Sequence, residues 1–206
     1  MPSAIERTKY MDAREVEQLR TVTEAWSITD LVAGRRQGVL TWMVVDTALL
    51  TGLRVSELAK IRVGDFDPRR GLIQVSRHKR RATTSEPLAI PPKLVKHLKE
   101  FIAWKELLGQ STGDKKPLFV GKRGPLSVQG FQQLWKRAID KAGLPHTLSI
   151  HSARHTVAVQ LLKKTKNLRQ VQKQLGHTDP ATTANMYADV SFQEMQEGLT
   201  DLYVDG

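Results

Sequence analysis

The sequence predicts a mainly α-helical fold carrying a small antiparallel β-sheet. Apolar residues recur at helical spacing through most of the chain, and two short extended runs, 72–75 and 86–90, bracket a basic segment as the arms of a hairpin would. A length of 206 residues with 40% hydrophobic content allows one ordinary domain with a substantial core.

Residues 1–11 are polar and read as a flexible N-terminal segment. Asp12-Ala-Arg-Glu15 then has the form of a capping box, opening a helix through Val16 and Leu19 to about Trp26. A second helix is expected over about 35–50, with Val39, Leu40, Met43, Val44 and Thr47 on one face and Gly52 as its stop. Arg54 therefore falls just past a helix end, and 56–61 reads as a further short helix. Gly64-Asp65 and Asp67-Pro68 punctuate the chain before the extended runs, leaving 76–85 as the hairpin tip with four basic residues in Ser76-Arg-His-Lys-Arg-Arg81.

From Pro92, Leu94, Val95, Leu98, Phe101, Ile102 and Leu108 keep helical spacing, 109–117 is a loop, and 118–120 suggests a strand. Ser127 caps a helix to about Ala142, and Ser152 opens another through Val157, Val159, Leu161 and Leu162. The stretch 168–175 closes on Gly176, and Asp179-Pro180 starts a helix over 181–189 that holds Tyr187. Ser191-Phe-Gln-Glu194 is another capping box, leading an amphipathic helix that either packs on its own domain or docks on a neighbouring subunit. The segments 27–38 and 109–117 are the candidate linkers.

The 32 basic and 21 acidic side chains leave a net charge of +11, which directs attention to a polyanionic partner. With no cysteine, disulfides and thiolate metal sites are excluded. The first residues contain no apolar core of a signal peptide, and no stretch has the length and apolarity of a membrane span, so a cytoplasmic, nucleoid-associated location is expected.

Three stretches gather polar side chains where a packed core would not call for them: Thr51-Gly-Leu-Arg54-Val-Ser-Glu57-Leu, His151-Ser-Ala-Arg154-His155, and Leu175-Gly-His177 with Tyr187 ten residues later. Taken singly, each has an ordinary explanation as a surface charge, a local hydrogen-bonding pair or a packed ring. Together they form a set able to attack a phosphodiester without a metal. Guanidinium forks such as Arg54 and Arg154 hold non-bridging phosphate oxygens bidentately as negative charge builds on them. A tyrosine hydroxyl, with an ordinary pKa of about 10, needs neighbouring positive charge or a base to act as a nucleophile. Tyr187 suits the nucleophile, His151 a base or phosphate ligand, and His177 a donor to the same oxygens. The departing 5′-oxygen needs a proton, for which Lys79 in the hairpin tip is the candidate; its other reading is a solvated or phosphate-contacting turn residue.

These boxes, in this order, resemble the tyrosine recombinases, or phage-integrase family. Thr-Gly-Leu-Arg54-Val-Ser-Glu57-Leu is similar to the family's first arginine box, His151-Ser-Ala-Arg154-His to its His-x-x-Arg box, and Leu-Gly-His177-Thr-Asp-Pro-Ala-Thr-Thr-Ala-Asn-Met-Tyr187 to its terminal box. The resemblance runs from about Asp12 to Asp189. It implies a tyrosine recombinase catalytic domain over 12–190 and a C-terminal helix or tail over 191–206. Arg54, Lys79, His151, Arg154, His177 and Tyr187 become the catalytic set, with no cofactor and no metal.

The implied activity is site-specific cutting and rejoining of duplex DNA through a covalent 3′-phosphotyrosyl intermediate. The implied assembly is a homotetramer on paired sites, with accessory DNA-bending proteins as possible partners, in a protein of bacterial, phage or mobile-element origin. Ala153 replaces the family's usual leucine, a packing difference that leaves the chemistry intact. Family members also carry a helical core-binding domain ahead of the catalytic one, which the first 34 residues cannot supply. Either the catalytic domain stands here apart from that partner, or the natural protein lacks it. The competing readings are a type IB topoisomerase, a DNA-binding regulator that has lost catalysis, and a metal-dependent nuclease using His151 and His177.

Overall fold

Asp12 begins the first helix, α1 (Ala13–Val32), through the expected capping box: its carboxylate accepts from the Glu15 N–H at 2.8 Å, and the Glu15 carboxylate accepts from the Asp12 N–H at 2.9 Å. The helix runs past Trp26, which corrects the expected linker at 27–38. Its later polar residues are satisfied within the helix, since the Thr23 hydroxyl donates to the Leu19 carbonyl and that of Ser27 to the Glu24 carbonyl. The computed structural model describes residues 10–79 and 82–176, with the backbone alone at 78, 79 and 82.

The second helix, α2 (Gln37–Thr51), has no side-chain cap of its own. Asp30 of α1 supplies one, accepting from the Gly38 N–H at 2.7 Å and from Arg35 Nε at 2.8 Å. Burial pushes the Asp30 carboxyl up, but these bonds outweigh it and hold its pKa below the usual carboxylate value. A Cβ at Gly38 would stand 2.7 Å from the Trp26 carbonyl and 2.9 Å from Asp30 Oδ2. Gly38→Ala is therefore expected to force α1 and α2 apart at a cost of about 1–3 kcal/mol. Thermal unfolding checks this, and an unchanged midpoint would mean that the two helices tolerate the separation.

α2 is buried on nearly all sides, through Val39, Leu40, Met43, Val44, Val45, Ala48 and Leu49, and it forms the centre of the core. Asp46 is fully buried on it, taking Arg20 Nη2 at 2.7 Å and His97 Nδ1 at 2.8 Å. The fourth helix, α4 (Pro92–Leu107), supplies that histidine and begins with proline at its first position, where a missing N–H costs nothing. Lys105 on α4 is completely buried and donates to the carbonyls of Pro117 and Leu118 at 2.8 and 2.6 Å. Burial brings its pKa down to about 8.

Between α2 and α4 lie α3 (Val55–Leu58) and a three-stranded antiparallel sheet of β1 (Phe66–Asp67), β2 (Leu72–Lys79) and β3 (Ala82–Ala89), in that order across the sheet. α3 ends before Ile61, earlier than expected. Pairing runs from Leu72↔Ala89 to Lys79↔Ala82, so most of 76–85 is strand rather than tip. The correction has a local cause and a distant one. Thr83 and Thr84 are β-branched and favour a pleated strand, and Arg77 finds carboxylate partners in Glu86 across the hairpin and Glu57 of α3. β3 is an edge strand, which is why Pro87 is tolerated in it.

The strand expected at 118–120 shrinks to β4 (Val120–Gly121), paired with β5 (Gly124–Pro125). Leu118 and Phe119 are buried, and the Leu118 N–H donates to the Ile61 carbonyl. α5 (Val128–Ala142) starts where expected, with the Ser127 hydroxyl accepting from the Gly130 N–H, and packs Phe131, Leu134, Trp135, Ala138 and Ile139 into the core against α1 and α2. α6 (Ile150–Thr165) begins before Ser152, which sits buried in its first turn. α7 (Leu168–Leu175) is capped by Asn167, closes on Gly176 at φ 63°, and buries Val171 and Leu175. The chain divides within α6 into two compact units, Met1–Val157 and Ala158–Gly206. The helices expected over 181–189 and from Ser191 lie outside the described residues.

The fold is thus mainly helical with small antiparallel sheets. Among the described residues no helix is long and apolar enough to cross a membrane.

Candidate active site

The site begins at the end of α2. Gly52 terminates the helix in the left-handed region, at φ 67° and ψ 19°, which a glycine adopts without steric cost. Thr51 is buried before it; its hydroxyl donates to the Thr47 carbonyl at 2.6 Å and accepts from the Leu53 N–H at 3.3 Å. With Leu53 also buried, the turn is held on both sides, and Arg54 emerges at the N-terminus of α3 with its side chain 43% exposed. Arg154, on the second turn of α6, reaches the same turn: its Nη1 donates to the Gly52 carbonyl at 2.8 Å. The two arginines expected to clamp a phosphate, one hundred residues apart in sequence, are brought to one helix end.

Arg154 is only 8% exposed. Burial first, then the neighbouring charge of Arg54, with Arg77 adding to them and Glu57 opposing, lower its pKa to about 10. It stays charged at neutral pH. His151, one turn earlier on α6, is exposed. Ala153 between them is buried in the core, so the missing leucine side chain is a matter of packing behind the site.

Two site residues were missed in the sequence. Glu57 is buried and takes both the Arg54 backbone N–H, at 2.8 Å, and Arg54 Nη1, at 3.0 Å. Arg77, counted with the exposed basic tip of the hairpin, is instead 5% exposed: its Nη1 lies 3.2 Å from Glu86 Oε2 and its Nε 4.0 Å from Glu57 Oε1. Arg54, Arg77 and Arg154 set against Glu57 and Glu86 leave three positive charges and two negative ones, a net +1 in a partly dehydrated place. A signal for Glu57 existed in its position three residues after Arg54, the reach of a carboxylate back to a helix N-terminus. For Arg77 only its period-two phase with Ile73 and Val75 pointed inward.

Lys79 ends β2, where its backbone pairs with Ala82. His177 and Tyr187 lie outside the described residues. Among the described residues, no three His, Cys, Asp or Glu side chains gather as a metal site would require.

The arrangement makes a prediction about Glu57. In Glu57→Gln a carboxylate that favours the charged form of Arg154 is gone, so the Arg154 pKa moves further below about 10. Titration followed at the Arg154 guanidinium carbon by NMR checks the sign. An unmoved or raised midpoint would remove Glu57 from the immediate field of Arg154. The same variant is expected to lose about 1–3 kcal/mol of stability, because Arg77 keeps Glu86 while Arg54 is partly screened by water.

Comparison with known proteins gives the fold and the family. The tyrosine recombinase XerC of Corynebacterium glutamicum is 34% identical over 157 residues, covering 76% of this chain and 48% of the relative. The tyrosine recombinase XerD of Staphylococcus epidermidis is 27% identical over 198 residues, covering 95% and 63%. The chain thus spans between about half and two thirds of the length of these relatives.

Among solved structures, the XerA recombinase superposes with a TM-score of 0.75 at 23% identity, over 96% of this chain and 65% of the other. XerH site-specific recombinase in a post-cleavage complex with its palindromic difH substrate gives 0.73 at 20% identity, over 94% and 53%. A lambda integrase tetramer bound to a Holliday junction gives 0.60 at 20%, over 86% and 47%. At such identities these structures establish the fold, which is that of the recombinase catalytic domain. The family model described as the phage integrase family matches residues 9–194, and the chain belongs to that family, the tyrosine recombinases.

Proposed function

We propose that the chain is the catalytic part of a site-specific DNA recombinase or integrase that cuts and rejoins duplex DNA through a 3′-phosphotyrosyl intermediate. The observation that carries this reading is the meeting of Arg54 and Arg154 at the Gly52 turn, in a chain of this family with a net charge of +11. Arg54 and Arg154 hold the non-bridging oxygens of the scissile phosphate, joined by His177. The Tyr187 hydroxyl oxygen bonds to phosphorus as the bond from phosphorus to the 5′-oxygen breaks. Its proton passes to His151, and Lys79 gives a proton to the leaving 5′-oxygen. The bond energy is kept in the phosphotyrosine, so a 5′-hydroxyl reverses the step without ATP.

Duplex DNA is the partner in this reading, bound in a homotetramer on paired sites, as the tetrameric lambda integrase complex suggests by analogy. Accessory DNA-bending proteins would set the geometry of those sites. Substrate contact by basic side chains makes binding strongly salt-dependent.

The test is a nicked duplex bearing a candidate site sought as a repeat in the neighbouring genomic DNA, incubated with the protein in the presence of a chelator. A covalent protein–DNA adduct is expected, with the nucleotide mass on the peptide that contains Tyr187. DNA binding without an adduct, from the full-length protein, would sink the enzyme reading in favour of a regulator. Adduct formation with supercoil relaxation by a monomer would favour a topoisomerase.

A further inference from the structure

We propose that Arg77 is a positioning residue for strand cleavage: its buried guanidinium anchors the β2–β3 hairpin to the Arg54 helix end and so sets the place of the proton donor, Lys79. The inference rests on the reading above, in which Lys79 protonates the departing 5′-oxygen.

Arg77 lies in the middle of the site's ion pairs, with a carboxylate on either side. Its side chain is 5% exposed and lies between two carboxylates, with Nη1 3.2 Å from Glu86 Oε2 on β3 and Nε 4.0 Å from Glu57 Oε1 on α3. Glu57 in turn holds Arg54 twice, through the backbone N–H and Nη1. A continuous chain of charges therefore runs Glu86, Arg77, Glu57, Arg54, from the edge strand to the phosphate clamp. Arg54 is 43% exposed and available to a ligand, whereas Arg77 is enclosed.

The strand carries the consequence to Lys79. Arg77 pairs across the hairpin with Thr84 and Lys79 with Ala82, and residues two apart on a strand are in phase, about 6.6 Å apart along it. Among the described residues β1 pairs with Ile73 and Leu72, at the far end of β2. Beyond Val75 the hairpin is a two-stranded ribbon, which by itself has little stability in water. Through Glu57, Arg77 is an ionic tie between this ribbon and the helix that bears Arg54. Loosening it displaces Lys79 relative to the phosphate, and a misplacement of about 1 Å is enough to cost about 100-fold in rate.

The experiment replaces the 5′-oxygen at the scissile phosphate of the nicked substrate with sulfur. A thiol has a pKa of about 8.5, so it departs as a thiolate and needs no proton donor. Lys79→Ala provides the reference: slow cleavage with oxygen, near-parental cleavage with sulfur. Arg77→Met is expected to reproduce that pattern, about 100-fold slower than the parent with oxygen and within about threefold with sulfur.

An equal defect on both substrates in a folded Arg77→Met protein would overturn the proposal and make Arg77 a phosphate ligand or a general support. If Arg77→Met fails to fold, Arg77→Lys decides, since it keeps a buried positive charge but loses the fork that spans Glu86 and Glu57. A defect of about tenfold, relieved by sulfur, is expected of it; a defect that sulfur does not relieve overturns the proposal. A parent protein that forms no adduct on either substrate takes the recombinase reading down as well, whereas an active parent with a sulfur-insensitive Arg77→Met removes this inference alone.

Discussion

Tyr187→Phe should abolish the covalent protein–DNA adduct while leaving DNA affinity within about twofold of the parent. The substitution keeps the ring and removes a single oxygen, the atom that would bond to phosphorus. None of the other groups in the proposed set replaces it: guanidinium groups are not nucleophiles at any cellular pH, and His151, His177 and Lys79 have assigned roles as proton carriers and donors. Affinity is expected to survive because a protein with an excess of eleven positive charges binds DNA chiefly through its cations, and phenylalanine changes none of them. Denaturing gel electrophoresis after incubation with the nicked substrate reads the adduct, and a salt-matched binding titration reads the affinity. Adduct formation that persists in Tyr187→Phe would assign the nucleophile to another residue. Metal-dependent cleavage without an adduct would point to a nuclease.

Arg154→Ala should slow adduct formation by about 100- to 1,000-fold with Tyr187 intact, the scale set by removing one preorganised donor to a developing oxyanion. The expectation rests on burial. At 8% exposure, and beside Arg54 and Arg77, the Arg154 guanidinium sits in a medium that strengthens its attraction for a phosphate far beyond what water allows. Its pKa of about 10 leaves the charge in place at neutral pH. The alanine variant also loses the bond to the Gly52 carbonyl at 2.8 Å, so its thermal midpoint must be measured alongside. Arg154→Lys separates the two effects: it keeps one positive charge and loses the fork, so it should recover only part of the rate. A folded Arg154→Ala protein that forms adduct at the parental rate would leave the clamp to Arg54 alone.

Nicking and rejoining would look alike from either variant if the two roles were confused. Tyr187→Phe removes the reacting atom and gives no adduct at any time. Arg154→Ala leaves it in place, and adduct should accumulate over long incubation.

Much of the architecture follows from local chemistry and was readable from the residues alone. Asp12 with Glu15, and Ser127, mark helix starts by side chains that reach nearby N–H groups, and Gly52 and Gly176 mark ends by a backbone conformation that suits glycine. Where the reading fell short, the deciding partner lay on another element or in a turn. α1 outruns Trp26 because Asp30 bonds Gly38 at the start of the next helix and Arg35 in the turn before it, and the hairpin strands lengthen because Arg77 finds Glu57 and Glu86. Lys105, which nothing in the sequence singles out, is fully buried because the carbonyls of Pro117 and Leu118 receive it.

The candidate site divides along the same line. By its order and residue types the sequence alone determined the chemistry to expect, two arginines, histidines, a lysine and a tyrosine for metal-free phosphoryl transfer, since those types are dictated by the charge that develops on a phosphate. Only the tertiary structure decided that Arg154 reaches the turn that presents Arg54, that Glu57 lies within the cluster, and that Arg77 is buried between Glu57 and Glu86. The reason is physical: a side chain's charge is written in the sequence, but its burial and its counter-charge depend on elements brought together from far along the chain, and those set whether an arginine grips a phosphate or holds the residues that do.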